Sequence, residues 1–117
     1  MDMKNAYKQL GVSMTQLRYM VIAVYDPVAR CWRFAISWAL PFGLAGSVLQ
    51  FNRCPTFLAA VARRWLAIPA QHFVDDFRIV ETQAAAGSGF RWFARLAELF
   101  GFKFDPAKDV LPSVVLP

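Results

Sequence analysis

The predicted fold depends on one stretch of the sequence, Gln71-His72-Phe73-Val74-Asp75-Asp76-Phe77-Arg78-Ile79-Val80. Two runs of strand-favouring residues flank two adjacent aspartates, which predicts a strand, a tight turn and a second strand over 70–81. Adjacent carboxylates at a hairpin tip repel each other, and the apolar strands beside them partly remove them from water. A cation is therefore expected there, although an Asp-Asp pair taken alone is more often a simple turn.

A helix and a short strand are predicted on the C-terminal side of this hairpin. Apolar residues recur at helical spacing within 88–100, with Ser88 as the expected N-cap and Gly101 as the residue that ends the helix. The segment 102–104 has the pattern of a short edge strand. Together these two elements account for residues 88–108.

A loop, a helix and a second hairpin are predicted on the N-terminal side. Residues 40–66 comprise a loop and then a helix with a basic outer side, which Pro55 is expected to kink or interrupt. The segment 20–38 contains two runs of β-branched and aromatic residues around an Asp-Pro turn, which indicates a hairpin. This order of elements predicts an α+β fold, a ferredoxin-like antiparallel sheet with helices packed on one face, in a single domain over 1–117.

The composition agrees with one packed domain and favours a polyanionic partner. The 117 residues are 57% hydrophobic and carry a net charge of +5. This excludes disorder and favours nucleic acid or an acidic membrane surface as the partner. Cys31 and Cys54 lie far apart without a neighbouring histidine cluster, so both are expected to be buried apolar residues rather than zinc ligands or a disulfide. The lone His72 is given no role.

One uncharged run raises the question of a membrane span. Residues 34–52 carry no charge and are long enough to cross a bilayer. Pro41, Gly43 and Gly46 interrupt the run, however, and a helix broken there would leave backbone groups unpaired in lipid. No membrane is therefore expected as a partner. Since the N-terminal residues do not form a secretory signal, an intracellular location, in the cytoplasm or the nucleus, is expected.

Four segments, in the expected order, resemble the motifs of reverse transcriptases. The segment that resembles the first palm motif is Asp2-Met3-Lys4-Asn5-Ala6-Tyr7-Lys8-Gln9-Leu10. The segment that resembles the second motif, especially in its retrotransposon form, is Leu40-Pro41-Phe42-Gly43-Leu44-Ala45-Gly46-Ser47. Phe73-Val74-Asp75-Asp76 is similar to the aromatic-x-Asp-Asp signature, and the segment 96–108 resembles the motif that follows it. The chain is thus similar to the palm domain of a retrotransposon-like RNA-directed DNA polymerase. In that resemblance, 1–10 is the first palm motif, 20–38 is a hairpin on the side of the partial fingers, and 70–81 is the Asp-Asp hairpin.

The resemblance implies a two-metal site for nucleotidyl transfer. Asp2, Asp75 and Asp76 would coordinate two Mg²⁺ ions, with Mn²⁺ as a possible substitute, and would act as the catalytic residues. The implied partners are a nucleic acid template-primer, whose 3′-hydroxyl attacks, and a deoxynucleoside triphosphate. Whether the template is RNA or DNA stays open.

The resemblance also implies four residues that bind the nucleotide. Tyr7 would lie under the sugar of the incoming nucleotide, or else it is an ordinary core aromatic. Phe42 and Gly43 would contact the nascent base pair, where some members of the family have glutamine in place of the phenylalanine. Lys108 would approach the triphosphate, or else it is a solvated surface lysine.

The sequence departs from the family most at its two ends. The first predicted metal ligand is residue 2, so that most of the fingers is missing, and no thumb follows Pro117. A truncated copy with little or no polymerase activity of its own is therefore expected. Two alternatives stay open, namely a non-catalytic nucleic-acid-binding remnant with a palm fold and a small membrane protein that uses residues 34–52.

Overall fold

The computed structural model describes residues 1–85 and 87–109 and has an α+β fold, as the sequence predicts. The described residues form two α-helices and two separate two-stranded antiparallel sheets, together with short 3-10 turns. The elements are β1 (Val21–Asp26), β2 (Cys31–Ile36), α1 (Ala45–Trp65), β3 (Ala70–Phe73), β4 (Asp76–Ile79) and α2 (Ser88–Leu99).

The chain divides into two compact units. Residues 5–47 form the first, called here the hairpin unit. Residues 1–4, 48–85 and 87–109 form the second, called here the core unit. The N-terminal residues thus pack with a part of the chain that follows them by more than forty positions.

The hairpin unit is built on the antiparallel pair β1–β2. Asp26 pairs with Cys31 at the turn end, and Val21 pairs with Ile36 at the other end. The Asp26 carboxylate accepts hydrogen bonds from the backbone N–H groups of Val28 and Ala29, at 3.0 Å each, and so closes the Asp-Pro turn. The hydrogen bond from Ala29 is the main reason that the pKa of Asp26 is lowered. The predicted hairpin is therefore present, with strands that end near the predicted positions.

The uncharged run 34–52 is divided among three elements. It contains the end of β2, a loop and the beginning of α1, with Gly11 and Ala39 forming an isolated bridge beside the loop. Among residues 1–85 and 87–109, no helix has the length and apolar character that crossing a membrane requires.

Helix α1 continues through Pro55, so an interruption there, one of the two predicted outcomes, is wrong. Pro55 is fully buried, and Phe51 and Leu58 on the same helix have no exposed surface. A proline inside a helix removes one backbone hydrogen bond and costs about 3 kcal/mol. Burial of the apolar face, at roughly 1.5–3 kcal/mol for each large side chain, offsets that cost.

The N-terminal residues extend the sheet of the core unit. Phe73 pairs with Asp76 across the β3–β4 turn. Asp2 forms a bridge with Asp76, and Met3 forms a bridge with Phe104 on the other side. The N-terminal segment therefore lies between β4 and the segment 103–105. The edge strand predicted at 102–104 is reduced to this single bridge.

Alternation along these strands separates the apolar core from the acids. Met3 and Phe77 are buried, at 2% and 3% exposure, whereas the neighbouring Asp2 and Asp76 point to the opposite face. The Phe77 ring packs against Phe93 of α2 at 4.8 Å between centroids and against Phe104 at 5.7 Å. This aromatic cluster packs β4, which carries Asp76, and the segment that carries Asp105 against α2.

The ends of α2 agree with the sequence prediction at one end only. Gly101, with a φ of 82°, ends the helix as predicted, and the Phe102 N–H donates to the Ala97 carbonyl at 2.9 Å. The predicted N-cap Ser88 is wrong, because Ser88 is the first helical residue and its side chain does not cap. The Glu81 carboxylate accepts the N–H groups of Gly89 and Phe90 instead, at 3.1 Å each.

The two cysteines are free, but neither is fully buried, which corrects the prediction. Cys31 is exposed, because it lies at the end of β2 in a hairpin whose faces are both open to water. Cys54 on α1 is partly buried, and desolvation raises the pKa of its thiol.

A candidate metal centre at the Asp-Asp turn

Three acids that are distant in the sequence lie on neighbouring strands of the core unit. Asp2 stands directly opposite Asp76 in an antiparallel bridge. The carbonyl of Asp75 accepts a hydrogen bond from the Met3 N–H at 3.2 Å, and the carbonyl of Met1 accepts one from the Phe77 N–H at 2.8 Å. Directly opposed residues of an antiparallel pair point to the same face. The backbone therefore holds Asp2 and Asp76 side by side, with Asp75 next to them at the turn.

The turn that presents Asp75 has an unusual backbone. Only Val74 and Asp75 lie between β3 and β4, and Val74 has a φ of 54°. A positive φ at the first of two loop residues is typical of type II′ turns, in which glycine is preferred. A β-branched residue in this region is strained, at a cost of roughly 1–3 kcal/mol. Strain of this kind concentrates at functional sites, and nothing in the sequence pattern indicates it.

We expect Val74→Gly to raise the free energy of unfolding by about 1 kcal/mol. Relief of the left-handed strain outweighs the greater entropy of glycine in the unfolded chain, which costs about 0.5–1 kcal/mol. Urea denaturation followed by circular dichroism measures the change. Val80→Gly is the matched control, because Val80 follows β4, is 65% exposed and does not have a positive φ. The control should lose stability, and a similar loss in Val74→Gly would show that the turn is unstrained.

Burial and repulsion within the acidic group raise the pKa of Asp75. Partial burial is the largest cause that raises the pKa of this carboxyl, and the charges of Asp2 and Asp76 raise it further. A hydrogen bond with the Asp2 side chain acts in the same direction. The three carboxyls therefore interact electrostatically, and a bound cation would relieve their repulsion.

A lysine supplies one cation at this group. The Lys108 ammonium donates to the Asp2 carboxylate in an ion pair, in which the Asp2 side chain is 13% exposed and the Lys108 side chain 63%. This hydrogen bond is the main cause that raises the pKa of Lys108, and the charges of Asp105 and Asp75 add to it. Lys108 ends a short 3-10 turn, Pro106–Lys108, in which the Ala107 N–H donates to the Asp105 carboxylate at 3.2 Å. The structure thus places Lys108 among the acids.

The carboxylates do not form a ligand cage in this conformation. Within the described ranges 1–85 and 87–109, no group of three or more histidine, cysteine or acidic side chains is arranged to hold a metal ion. The donor set nevertheless suits Mg²⁺, because hard carboxylate oxygens are its preferred protein ligands. Metal binding would therefore require the side chains to reorient and the Lys108 ammonium to leave Asp2.

The other candidate nucleotide-binding residues belong to the hairpin unit. Tyr7 is buried, at 6% exposure, and its ring packs edge-on against Phe42, with 4.6 Å between centroids. Phe42 is 85% exposed, and Gly43, with a φ of 90°, lies in the loop before α1. The structure therefore brings Tyr7 and Phe42 together, which the separate motifs do not predict.

Sequence reasoning missed one polar residue at the predicted site and one polar contact on the opposite face of the sheet. Asp105 contributes to the electrostatics of Lys108 and caps the turn that carries it. The Asp-Pro spacing before Lys108 is an N-cap pattern that could have identified it. His72, which the sequence leaves without a role, forms a hydrogen bond with the Thr56 hydroxyl at 3.1 Å through Nε2. A contact between α1 and β3 of this kind has no local sequence signal.

Comparisons with known proteins add no family to this description. No protein-family model matches the sequence, and a search of curated proteins gives no significant match. The assignment of a function therefore depends on the acidic group and on the residues around it.

Proposed function

We propose that this chain carries the metal-binding palm core of a reverse-transcriptase-like polymerase, which transfers a nucleotide onto a primer 3′-hydroxyl. The observation that carries the proposal is the direct pairing of Asp2 with Asp76, next to the Asp75 turn. An Asp-Asp turn is common, but a third aspartate held opposite it by the N-terminal segment is not explained by turn formation. The α+β fold and the sheet of the core unit also support a palm with helices on one face and partial fingers.

Each residue of the site has a role in this proposal. Asp2, Asp75 and Asp76 would hold two Mg²⁺ ions, or Mn²⁺ in their place. When bound, such ions lower the pKa of the primer 3′-hydroxyl and neutralise charge on the deoxynucleoside triphosphate. In the transfer, the 3′-oxygen would bond to the α-phosphorus, its proton would pass to water, and the bond from the α-phosphorus to the bridging oxygen would break, so that pyrophosphate leaves.

Lys108 would serve as an exchangeable counter-ion. Its ammonium pairs with Asp2, and Lys108 itself is a solvent-exposed residue of a turn. A divalent ion that binds Asp2 would displace the Lys108 ammonium from this carboxylate. The ammonium would then be free to pair with a triphosphate beside the acids. Tyr7, Phe42 and Gly43 would contact the sugar and the nascent base pair, with the exposed Phe42 ring available for stacking.

A Mn²⁺ titration followed by NMR tests the proposal. Paramagnetic Mn²⁺ broadens the amide signals of residues near a binding site. We expect Met3, Phe77 and Asp105 to broaden first and at sub-stoichiometric Mn²⁺, because their N–H groups hydrogen-bond to the backbone of the acid-bearing segments. Glu98, on α2 of the same unit, serves as the comparison residue. Uniform broadening, or broadening that begins around Glu98, would contradict a metal site at the turn.

A non-catalytic nucleic-acid-binding remnant is the second candidate, and the net charge of +5 favours it equally. The two candidates differ in whether nucleic acid binding depends on the acids and on a metal ion. The remnant would be supported by salt-sensitive nucleic acid binding that Asp75→Asn does not change, together with the absence of Mn²⁺ binding. Either protein would act in the cytoplasm or the nucleus.

A further inference from the structure

The β1–β2 hairpin has one face that is entirely apolar. Paired residues of an antiparallel sheet lie on the same face, so the register of the hairpin defines both faces. One face, called here the aromatic face, contains three cross-strand pairs, namely Val21 with Ile36, Ala23 with Phe34, and Tyr25 with Trp32. Every one of these six residues is exposed.

Aromatic rings dominate the exposed area of this face. Trp32 is 61% exposed, Phe34 is 70% exposed and Tyr25 is 47% exposed. The Tyr25 and Trp32 rings pack edge to face, with 5.4 Å between centroids, so that each fixes the orientation of the other. Contiguous exposed aromatic surface of this kind marks a binding site. A two-stranded hairpin is also only marginally stable alone, and a bound partner would stabilise it.

The opposite face is more polar. It contains the ion pair between Arg33 Nε and the Asp26 carboxylate at 2.8 Å, and Cys31 lies beside them. The opposite face also exposes Ile22 and Val24, at 43% and 59%, but it has no aromatic ring, so the aromatic residues of the two strands all lie on one side of the hairpin.

The charge around the hairpin selects among partners. The hairpin unit contains four basic residues, namely Lys8, Arg18, Arg30 and Arg33, and one acid, Asp26, which gives a net charge of 4 − 1 = +3. Asp26 is already neutralised by Arg33. A second copy of this unit would bring two cationic surfaces together, which is unfavourable. A polyanion that also has flat apolar groups fits both the charge and the rings.

Exposed arginines lie near both ends of the hairpin. Arg18 lies three residues before β1, and its guanidinium lies over the Tyr19 ring at 4.8 Å. Arg30 lies in the turn between the strands, with a φ of 50°. Strands of six residues span about 17–20 Å, so the two arginines bracket a platform long enough for several nucleotides.

We propose that the aromatic face binds single-stranded nucleic acid. Bases stack on Tyr25, Trp32 and Phe34, while phosphates pair with Arg18 and Arg30. Stacking on aromatic side chains combined with basic residues along the strand is the general way in which proteins hold single strands without reading their sequence. This inference goes beyond the proposed phosphoryl-transfer site, because it concerns a surface of the hairpin unit and predicts binding without metal.

Fluorescence anisotropy of a labelled oligothymidylate with the full 117-residue chain tests the inference. EDTA is present throughout, so failure of the proposed metal site does not affect the result. We expect Trp32→Ala to weaken binding about tenfold or more, since loss of one stacking ring has effects of that order. Trp92→Ala is the matched control, because Trp92 on α2 is 63% exposed against 61% for Trp32 and should leave affinity unchanged. Affinity should also fall steeply with added salt.

Two further variants keep the test decisive if Trp32→Ala destabilises the hairpin. Trp32→Phe retains a ring and should bind within about threefold of the original protein, since any aromatic ring can stack with a base. The double change Arg18→Gln and Arg30→Gln leaves the apolar core intact and should weaken binding and reduce its salt dependence.

Three results would overturn the inference. The first is equal affinity of Trp32→Ala and Trp92→Ala for the oligonucleotide. The second is Trp32-dependent dimerisation in sedimentation equilibrium without oligonucleotide binding, which would assign the face to a second copy. The third is Trp32-dependent flotation with phosphatidylserine vesicles without oligonucleotide binding, which would assign it to a lipid surface.

Discussion

Asp75→Asn is expected to weaken Mn²⁺ binding by at least about thirtyfold, or roughly 2 kcal/mol. The change removes one charged ligand while keeping the size of the side chain, and affinity for a hard cation depends on the number of charged oxygens. Isothermal titration calorimetry measures the affinity. Glu98→Gln is the control, because Glu98 is an exposed carboxylate on α2 of the same unit and should have no effect.

The same variant should make the metal-free protein more stable at neutral pH. The pKa of Asp75 is raised, so its charge opposes folding increasingly as the pH rises above the pKa that it has in the unfolded chain. Asparagine removes this penalty, which for neighbouring like charges on strands is about 0.2–1 kcal/mol, or roughly 1–4 °C in Tm. The difference should vanish at acidic pH, where Asp75 is protonated. A variant that loses both metal binding and stability would instead indicate a structural role for Asp75.

Local patterns in the sequence were sufficient to predict the elements around the site. Alternation and turn composition give the β3–β4 hairpin, and Gly101 gives the end of α2. These features depend on residues within a few positions of one another. The hydrogen bonding of the first N–H groups of α2 depends instead on Glu81, seven residues before the helix, whose carboxylate reaches them only in the folded chain. The same reason explains why the burial of Pro55 could not be predicted.

The pairing of Asp2 with Asp76 could not be derived from local pattern. The two residues are 74 positions apart, and only the resemblance to reverse transcriptases suggested that they meet. The cause is visible in the fold, because Met3 and Phe77 share the core and thereby fix the register of their polar neighbours. The backbone of Val74 could not be predicted either, although its cause is local, since no sequence rule predicts that a valine adopts a φ of 54°.

Lys108→Met is expected to strengthen Mn²⁺ binding about tenfold, or roughly 1.4 kcal/mol. The Lys108 ammonium pairs with Asp2, whose side chain is only 13% exposed, so a divalent ion must displace it before this carboxylate becomes a ligand. Methionine retains most of the aliphatic chain and removes the charge. The predicted direction is distinctive, because removal of a lysine that only supports the local structure would weaken metal binding or leave it unchanged.

Arg64→Met separates this local effect from the change in net charge. Arg64 is exposed near the end of α1 in the same unit and carries the same charge as Lys108. Its replacement should increase Mn²⁺ affinity by at most about twofold, since screening at physiological salt weakens charges that do not touch the ligands. Calorimetry of both variants at two salt concentrations compares them. Equal gains would show that only net charge matters and that Lys108 does not compete with metal for Asp2.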